Sequence, residues 1–340
     1  MGFLVSLAFQ YPVATAGILS VMGLLALREI LPLLPSRNRP PTISAVGPDF
    51  ETEVKARNAE EQRVLDSMAP GVSPAQQRGA LLFYRKFRSN PEAFAVPGVC
   101  VVTGGTGFVG QRLVEMLVER GARKVISFDI VPKPAGAWEH PAIEYMLGDI
   151  TDVASVERAV RGADCVWHNA AAVGPFHPLA LYDKVNNIGT QNIVNACRKF
   201  GVPKIVMSSS PSTRFDGSDI DGLSEAEMPS IPMKSYLQAY ASSKAAGEKY
   251  LTDACCDELM TVAVAPHQVY GPRDNLFTPN VMEAAGTGML RVFCSKRTGY
   301  GRNRVCFTHV DNYAHGLIIS ANALYVVVRR NGRCSQTVWV

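Results

Sequence analysis

The stretch VCVVTGGTGFVGQRLVEMLVERGARKVISFD, Val99 to Asp129, decides the fold. Val99–Thr103 is a short β-branched apolar run of the kind that forms a buried strand. It leads straight into Thr103-Gly104-Gly105-Thr106-Gly107-Phe108-Val109-Gly110, and from Phe108 the apolar residues recur at helical spacing. A glycine triplet alone is a weak signal, but between a strand and an amphipathic helix it has a mechanism. Gly104 and Gly107 let backbone N–H groups approach a pyrophosphate at the helix N-terminus, and Gly110 permits close helix–sheet packing. Gly104, Thr106, Gly107, Phe108, Val109 and Gly110 are therefore cofactor-binding candidates. A second strand ends at Phe128-Asp129, about 20 residues on, where a carboxylate accepts hydrogen bonds from an adenosine ribose. The Asp129 charge repels a 2′-phosphate, so NAD is preferred to NADP.

Outward from this unit, short β-branched runs alternate with longer amphipathic segments, the pattern of a parallel sheet with helices on both faces. Strands are expected at Val99–Thr103, Lys124–Phe128, Ile143–Leu147, Cys165–His168, Lys204–Met207 and Met260–Ala265, with helices beginning near Phe108, Val153, Tyr182 and Ala239. The 340 residues are enough for one large or two modest domains. A net charge of +4, from 34 basic and 30 acidic side chains, includes no basic block long enough to track a nucleic-acid backbone. The eight cysteines form no C-x-x-C pair and sit mostly in apolar runs, which favours reduced, buried thiols. The six histidines include no pair at helix-ligand spacing with a neighbouring acid, so no metal is expected.

Tyr240-Ala241-Ser242-Ser243-Lys244 carries the chemistry. On a helix, residues four apart share a face, so the Lys244 ammonium is expected near the Tyr240 phenol, lowering its pKa and making it a usable general base. Upstream, a strand ends in Met207-Ser208-Ser209-Ser210, at the sheet edge where such folds bind ligands. A serine hydroxyl there is placed to hydrogen-bond the reacting oxygen.

On these residues the segment from Val99 to about Leu324 resembles the extended short-chain dehydrogenase/reductase superfamily and, within it, the 3β-hydroxysteroid dehydrogenase family. The superfamily motifs are Thr103–Gly110, the Asp129 strand end, Leu147-Gly148-Asp149, His168-Asn169-Ala170-Ala171, Val185-Asn186-Asn187-Ile188-Gly189-Thr190 and Tyr240–Lys244. Narrower ones are Ser209-Ser210 with Phe215-Asp216-Gly217, Ala265-Pro266-His267 with Val269–Asp274, and Gly301-Arg302-Asn303 with Phe307–Asn312. The resemblance implies a Rossmann-type doubly wound sheet with a small C-terminal substrate lobe. It implies that Asp149 and Ile150 border the adenine, that Ala170 and Ala171 line the cofactor, and that Pro266 and Val269 lie by the nicotinamide. Lys244 would hold the nicotinamide ribose, Tyr240 act as acid/base and Ser210 polarise the substrate oxygen, with Ser209 in its place if the register slips by one. The implied reaction is oxidation of the 3β-hydroxyl of a membrane-partitioned 4α-carboxysterol by NAD⁺, with decarboxylation. Family members usually carry Arg where this chain has Ala265. The alternatives are a nucleotide-sugar epimerase of the same superfamily and a non-catalytic NAD-binding membrane scaffold. A dehydratase is disfavoured because Pro211-Ser212 stands where such enzymes carry an acid pair.

The divisions expected are an anchor at 1–35, a helical linker at 36–98, the NAD-binding domain at 99–265 and a partial substrate lobe at 266–340. The ending Tyr325–Val340 matches no element expected of the family. The uncharged run Phe3–Leu27 is long enough, at about 1.5 Å per residue, to cross a hydrocarbon core of roughly 30 Å. A cleaved signal peptide or a buried helix is the alternative, but no charged side chain precedes the run and it ends at Leu27-Arg28-Glu29. Arg28, Arg37 and Arg39 follow it, placing the body in the cytosol by the positive-inside rule. With the resemblance, this gives a single-pass endoplasmic reticulum protein, with a homodimer among the partners considered. Arg78–Arg88 would lie on the membrane or pack on the catalytic domain. Deleting Met1–Pro35 is expected to release the protein to the soluble fraction; retention of that deletion variant in carbonate-washed membranes would count against the anchor.

Overall fold

The computed structural model describes residues 96–288 and 305–331, apart from 175–176, 219 and 221–222, with the strand at 335–339 and residues 59, 61–66, 68, 70 and 77. The expected anchor Phe3–Leu27, the helix Arg78–Arg88 and Gly301-Arg302-Asn303 lie outside the described residues. Among the described residues, no helix is long and apolar enough to cross a membrane.

The β-branched runs form the strands that the sequence predicts: β1 (Val99–Thr103), β2 (Lys124–Asp129), β3 (Ile143–Leu147), β4 (Cys165–His168), β5 (Lys204–Ser208) and β6 (Met260–Ala265). All pair parallel in the order β3-β2-β1-β4-β5-β6, and β9 (Ser335–Trp339) adds to β6. The order reverses between β1 and β4, and in such sheets that switch point opens a crevice beyond the strand ends.

Strand side chains alternate between two cores, as period-two pleating requires. On one face Cys100, Val102, Cys165, Trp167, Val206 and Val264 meet α1 (Phe108–Glu119) and α7 (Val310–Asn331) through Leu113, Leu117, Tyr313 and Leu317. On the other Val101, Phe128, Val166, Ile205 and Met207 meet α2 (Val153–Val160), α4 (Thr190–Phe200) and α5 (Ala239–Asp253). Cys100, Cys165 and Cys197 are free and buried, as their apolar surroundings predict.

Two features differ from the sequence expectation. The helix expected near Tyr182 begins at Leu179 as α3 (Leu179–Tyr182), passes through a π-helical segment at Asp183–Gly189, and continues as α4. The ending assigned to no element extends α7 to Asn331 and then supplies β9, whose Thr261↔Ser335 to Ala265↔Trp339 register completes the parallel sheet. α7 and β9, placed by the sequence in the C-terminal lobe, therefore join the sheet body. Among the described residues, what remains beside it is β7 (Gln268–Tyr270), paired with β8 (Phe307–His309), and α6 (Phe277–Gly286).

A buried ion network binds α1 to α7. Arg112 bonds Asp311 at 2.8 Å and Glu119 at 2.9 Å, while Glu115 is reached by Arg112 at 3.3 Å and by Arg273 at 2.6 Å. Arg273 holds a left-handed φ of 70°, so this contact also fixes the chain just beyond β7. Leu117, fully buried in the first core, gives a stability test: Leu117→Ala is expected to cost about 3 kcal/mol by urea unfolding, and a loss below about 1 kcal/mol would contradict close packing there.

Candidate active site

The carboxyl edge of the sheet borders a cavity of about 1830 Å³. Its floor at one end is the glycine loop. Gly104 has φ +67° and a Cβ there would lie 2.9 Å from the Ala170 nitrogen. A Cβ on Gly110 would overlap the Gly104 carbonyl oxygen, so the helix closes onto the loop only with glycine at both points. Gly107 caps α1 without a side-chain hydrogen bond, and the first turn has no acidic residue. The positive helix end is thus left for an anion.

Asp129 has a second task that its spacing does not reveal. Its oxygens accept from the Thr106 and Val131 N–H groups, each at 3.1 Å, which fixes the glycine loop to the end of β2 while leaving acceptor capacity for a ribose. Asp149 accepts from the Thr151 N–H at 2.8 Å. Ile150 packs against Gly189, where any Cβ would collide with it. The residues predicted to hold a cofactor line the cavity, from Gly104 and Thr106 through Asp129, Asp149, Ile150, Ala170 and Ala171 to Pro266 and Val269; the exception is Lys244, buried beneath it. At the switch point both amide atoms of Asn169 are buried without a hydrogen-bond partner among the described residues. A polar ligand in the crevice would satisfy them.

Behind Ala170 runs a buried polar chain that sequence reasoning missed. Thr190 Oγ1 donates to the Asn186 carbonyl at 2.7 Å, so it must accept from His168 Nε2 at 2.9 Å. His168 Nδ1 then accepts from Thr103 Oγ1 at 2.9 Å, and Thr103 in turn accepts from the Ala170 N–H at 3.1 Å. Burial lowers the His168 pKa to about 3, so the ring is neutral, as this chain requires. The Asn186 side chain exchanges hydrogen bonds with both the N–H and the carbonyl of Ala172 and donates to Ser243 at 3.0 Å. The cofactor wall after β4 is thereby tied to α5. The motif Val185–Thr190 flagged this segment, but partners lying 14 and 57 residues away were not in it.

At the far end of the cavity α5 presents Tyr240 and Lys244 on one face. Ser210, just past β5, lies beside the Tyr240 phenol while its hydroxyl pairs with Ser212 Oγ at 2.8 Å, and the Tyr182 ring packs edge-on against Tyr240 at 6.0 Å. Ser210, and not Ser209, is the serine beside Tyr240, because the buried Ser209 hydroxyl donates to Glu248 instead. Lys244 donates to the Ser208 carbonyl at 2.7 Å. The expected sign of the Tyr240 shift is corrected here: burial pushes the phenol up to about 12, outweighing the lowering by Ser210, with Tyr182 adding to the rise. Burial also pulls Lys244 down to about 8, against the opposing charge of Glu248. The two side chains lie on one face as expected, but desolvation dominates both.

Fold and site together define an extended short-chain dehydrogenase/reductase arrangement. A model of the 3-beta hydroxysteroid dehydrogenase/isomerase family matches residues 101–336, and the chain belongs to that family. It is 35% identical to human "sterol-4-alpha-carboxylate 3-dehydrogenase, decarboxylating" over 66% of this chain and 58% of that protein. It is 35% identical to "2-alkyl-3-oxoalkanoate reductase" of Stenotrophomonas maltophilia, over 66% of this chain and 65% of that one. Among solved structures, Bordetella bronchiseptica WbmH in complex with NAD⁺ is similar at a TM-score of 0.55 and 26% identity, covering 66% of this chain and 72% of that one. The chain spans 58% to 60% of the length of the mammalian relatives it matches.

Gly110→Ala is expected to displace the Gly104 peptide and weaken NADH binding at least about tenfold, read by the fluorescence of bound NADH. Unchanged affinity would show that the dinucleotide does not use this loop.

Proposed function

We propose that the chain is an NAD-dependent dehydrogenase that oxidises the 3β-hydroxyl of a 4α-carboxysterol, the product then losing CO₂. The observation that carries this reading is the placement of Ser210 and Tyr240 at the end of the cavity that begins at the glycine loop, with Lys244 buried beneath them. The residues suit NAD: an uncapped helix end for the pyrophosphate, Asp129 for the ribose, and the unpartnered Asn169 amide at the switch point. Bound there, NAD⁺ supplies the hydride acceptor. Ser210 holds the substrate oxygen by a hydrogen bond, and Tyr240 takes the hydroxyl proton as the C3 hydride departs. With a pKa near 12 the phenol is mostly protonated at neutral pH, so the oxidation runs through the minor phenolate form and rises with pH, while in the reverse direction the phenol is the acid. Lys244, held by the Ser208 carbonyl, supplies positive charge from beneath the cavity. The ketone formed beside the C4 carboxylate accepts the electrons as CO₂ leaves, so no further residue is required.

The apolar cavity residues Phe215, Ile220, Leu223, Leu276 and Val305 support a lipophilic ring system, as do relatives named for sterol carboxylates. A second reading draws on the Stenotrophomonas relative, whose name denotes a ketone two carbons from a carboxylate. The same Ser210, Tyr240 and Lys244 would then reduce a 3-oxo acid without decarboxylation. The epimerase alternative has the shared fold as its support. Anchorage through Phe3–Leu27 in the endoplasmic reticulum, with the body in the cytosol, belongs to the main reading, since it places the site where a sterol acid partitions.

Supplied with NAD⁺ and a 4α-carboxysterol, the full chain in membranes is expected to form NADH and CO₂ together. Tyr240→Phe should lower kcat by at least about 100-fold. Equal turnover by Tyr240→Phe would remove it as the base, and activity confined to 3-oxo acids with NADH would select the second reading.

A further inference from the structure

Three consecutive serines at the end of β5 meet one stripe of α5. The Ser208 carbonyl accepts from Lys244, the Ser209 hydroxyl donates to Glu248, and Ser210 lies beside Tyr240. Positions 240, 244 and 248 are successive i, i+4 steps on the helix. The mechanism uses the first two and leaves Glu248 without a task.

Glu248 is fully buried. One carboxylate oxygen takes the Ser209 hydroxyl, and the other accepts from Arg214 Nη1 at 2.6 Å. Arg214 closes the 3₁₀ turn Pro211–Thr213, which Ser210 itself caps. A single carboxylate therefore grips the chain on both sides of Ser210. We propose that Glu248 is a positioning residue: by holding Ser209 and Arg214 it keeps Ser210 beside Tyr240, and it supplies the buried negative charge one turn from Lys244.

A carboxylate present only to pair with Arg214 would be costly to remove but would leave the Lys244 titration unmoved. Glu248 instead lies one turn beyond Lys244, where its charge opposes the desolvation of the ammonium. The other groups around this lysine do not take that role. His168 of β4 is neutral. Tyr313 of α7 is un-ionised, raised by burial, and reaches Ser208 Oγ at 2.7 Å. Tyr240 is also raised, with Tyr182 of α3 against it, and Arg214 is the cation on the far side of Glu248.

The inference rests on the dehydrogenase reading, and its test separates the two. In the full chain, Glu248→Gln is expected to lower kcat at least about tenfold while the KM for NAD⁺ changes less than about twofold. Titration of Lys244, followed by the ¹³Cε shift of labelled lysine, should move down by about one pH unit. Glu248→Asp should return that titration toward wild type. Ser209→Ala should lower kcat and leave the titration unmoved, which keeps the claim testable if Glu248→Gln does not fold. Unchanged kcat and titration in folded Glu248→Gln, or a loss of melting temperature alone, would overturn the proposal. If wild type fails to oxidise the sterol, the dehydrogenase reading falls, whereas the lysine titration needs no substrate and still decides the role of Glu248.

Discussion

The hydrogen bond from Lys244 to the Ser208 carbonyl is the contact on which the rest of the site depends. A strand in the middle of a parallel sheet is paired on both sides until it stops, and at its carboxyl end the backbone needs other partners. β5 ends beneath a helix whose one stripe supplies them. Because an ammonium is expensive to bury, Lys244 is stable there only with the carbonyl below it and the Glu248 charge one turn away. The same docking places the Tyr240 phenol over Ser210. The placement of Ser210, Tyr240 and Lys244 is in this sense a consequence of closing the edge of a sheet.

The opposite end of the cavity follows the same logic with glycine in place of charge. β1 stops at Thr103, and the chain must turn tightly enough to start α1 against the sheet. Gly104 supplies the left-handed turn and Gly110 the close approach. Between the two ends, the polar chain from Ala170 to Asn186 fixes the wall after β4 to the π-helical segment, and Asn186 passes that constraint to α5 through Ser243. A π-helical turn shifts the helix by one residue, which lets the Asn186 side chain reach back to Ala172 while Thr190 meets His168.

Local pattern accounts for what the sequence made legible. The β-branched runs Val99–Thr103 and Cys165–His168 have only one way to bury both faces, so β1 and β4 were readable to the residue. The glycine loop, Asp129 and the Tyr240–Lys244 pair were readable because spacing along the chain is itself the mechanism. What was not readable depends on distant partners. Asp129 was legible as the acid at the end of β2 but not as the clamp on Thr106. Ser209 and Ser210 differ in role only because Glu248 lies 39 residues beyond Ser209. The sign of the Tyr240 shift was missed because charge is visible in a sequence and desolvation is not. β9 was missed because Ser335–Trp339 has no pattern of its own; β6 gives it its register.

The central claim is that this edge abstracts a proton from a 3β-hydroxyl while the C3 hydride leaves for NAD⁺, and that loss of CO₂ follows. Its most direct test uses a 4α-carboxysterol carrying deuterium at C3, incubated with NAD⁺ and the full chain in membranes. The account predicts that the deuterium is recovered in the reduced nicotinamide, with one CO₂ released for each transfer. Release of CO₂ without deuterium in the nicotinamide, or deuterium retained at C3 through turnover, would contradict it.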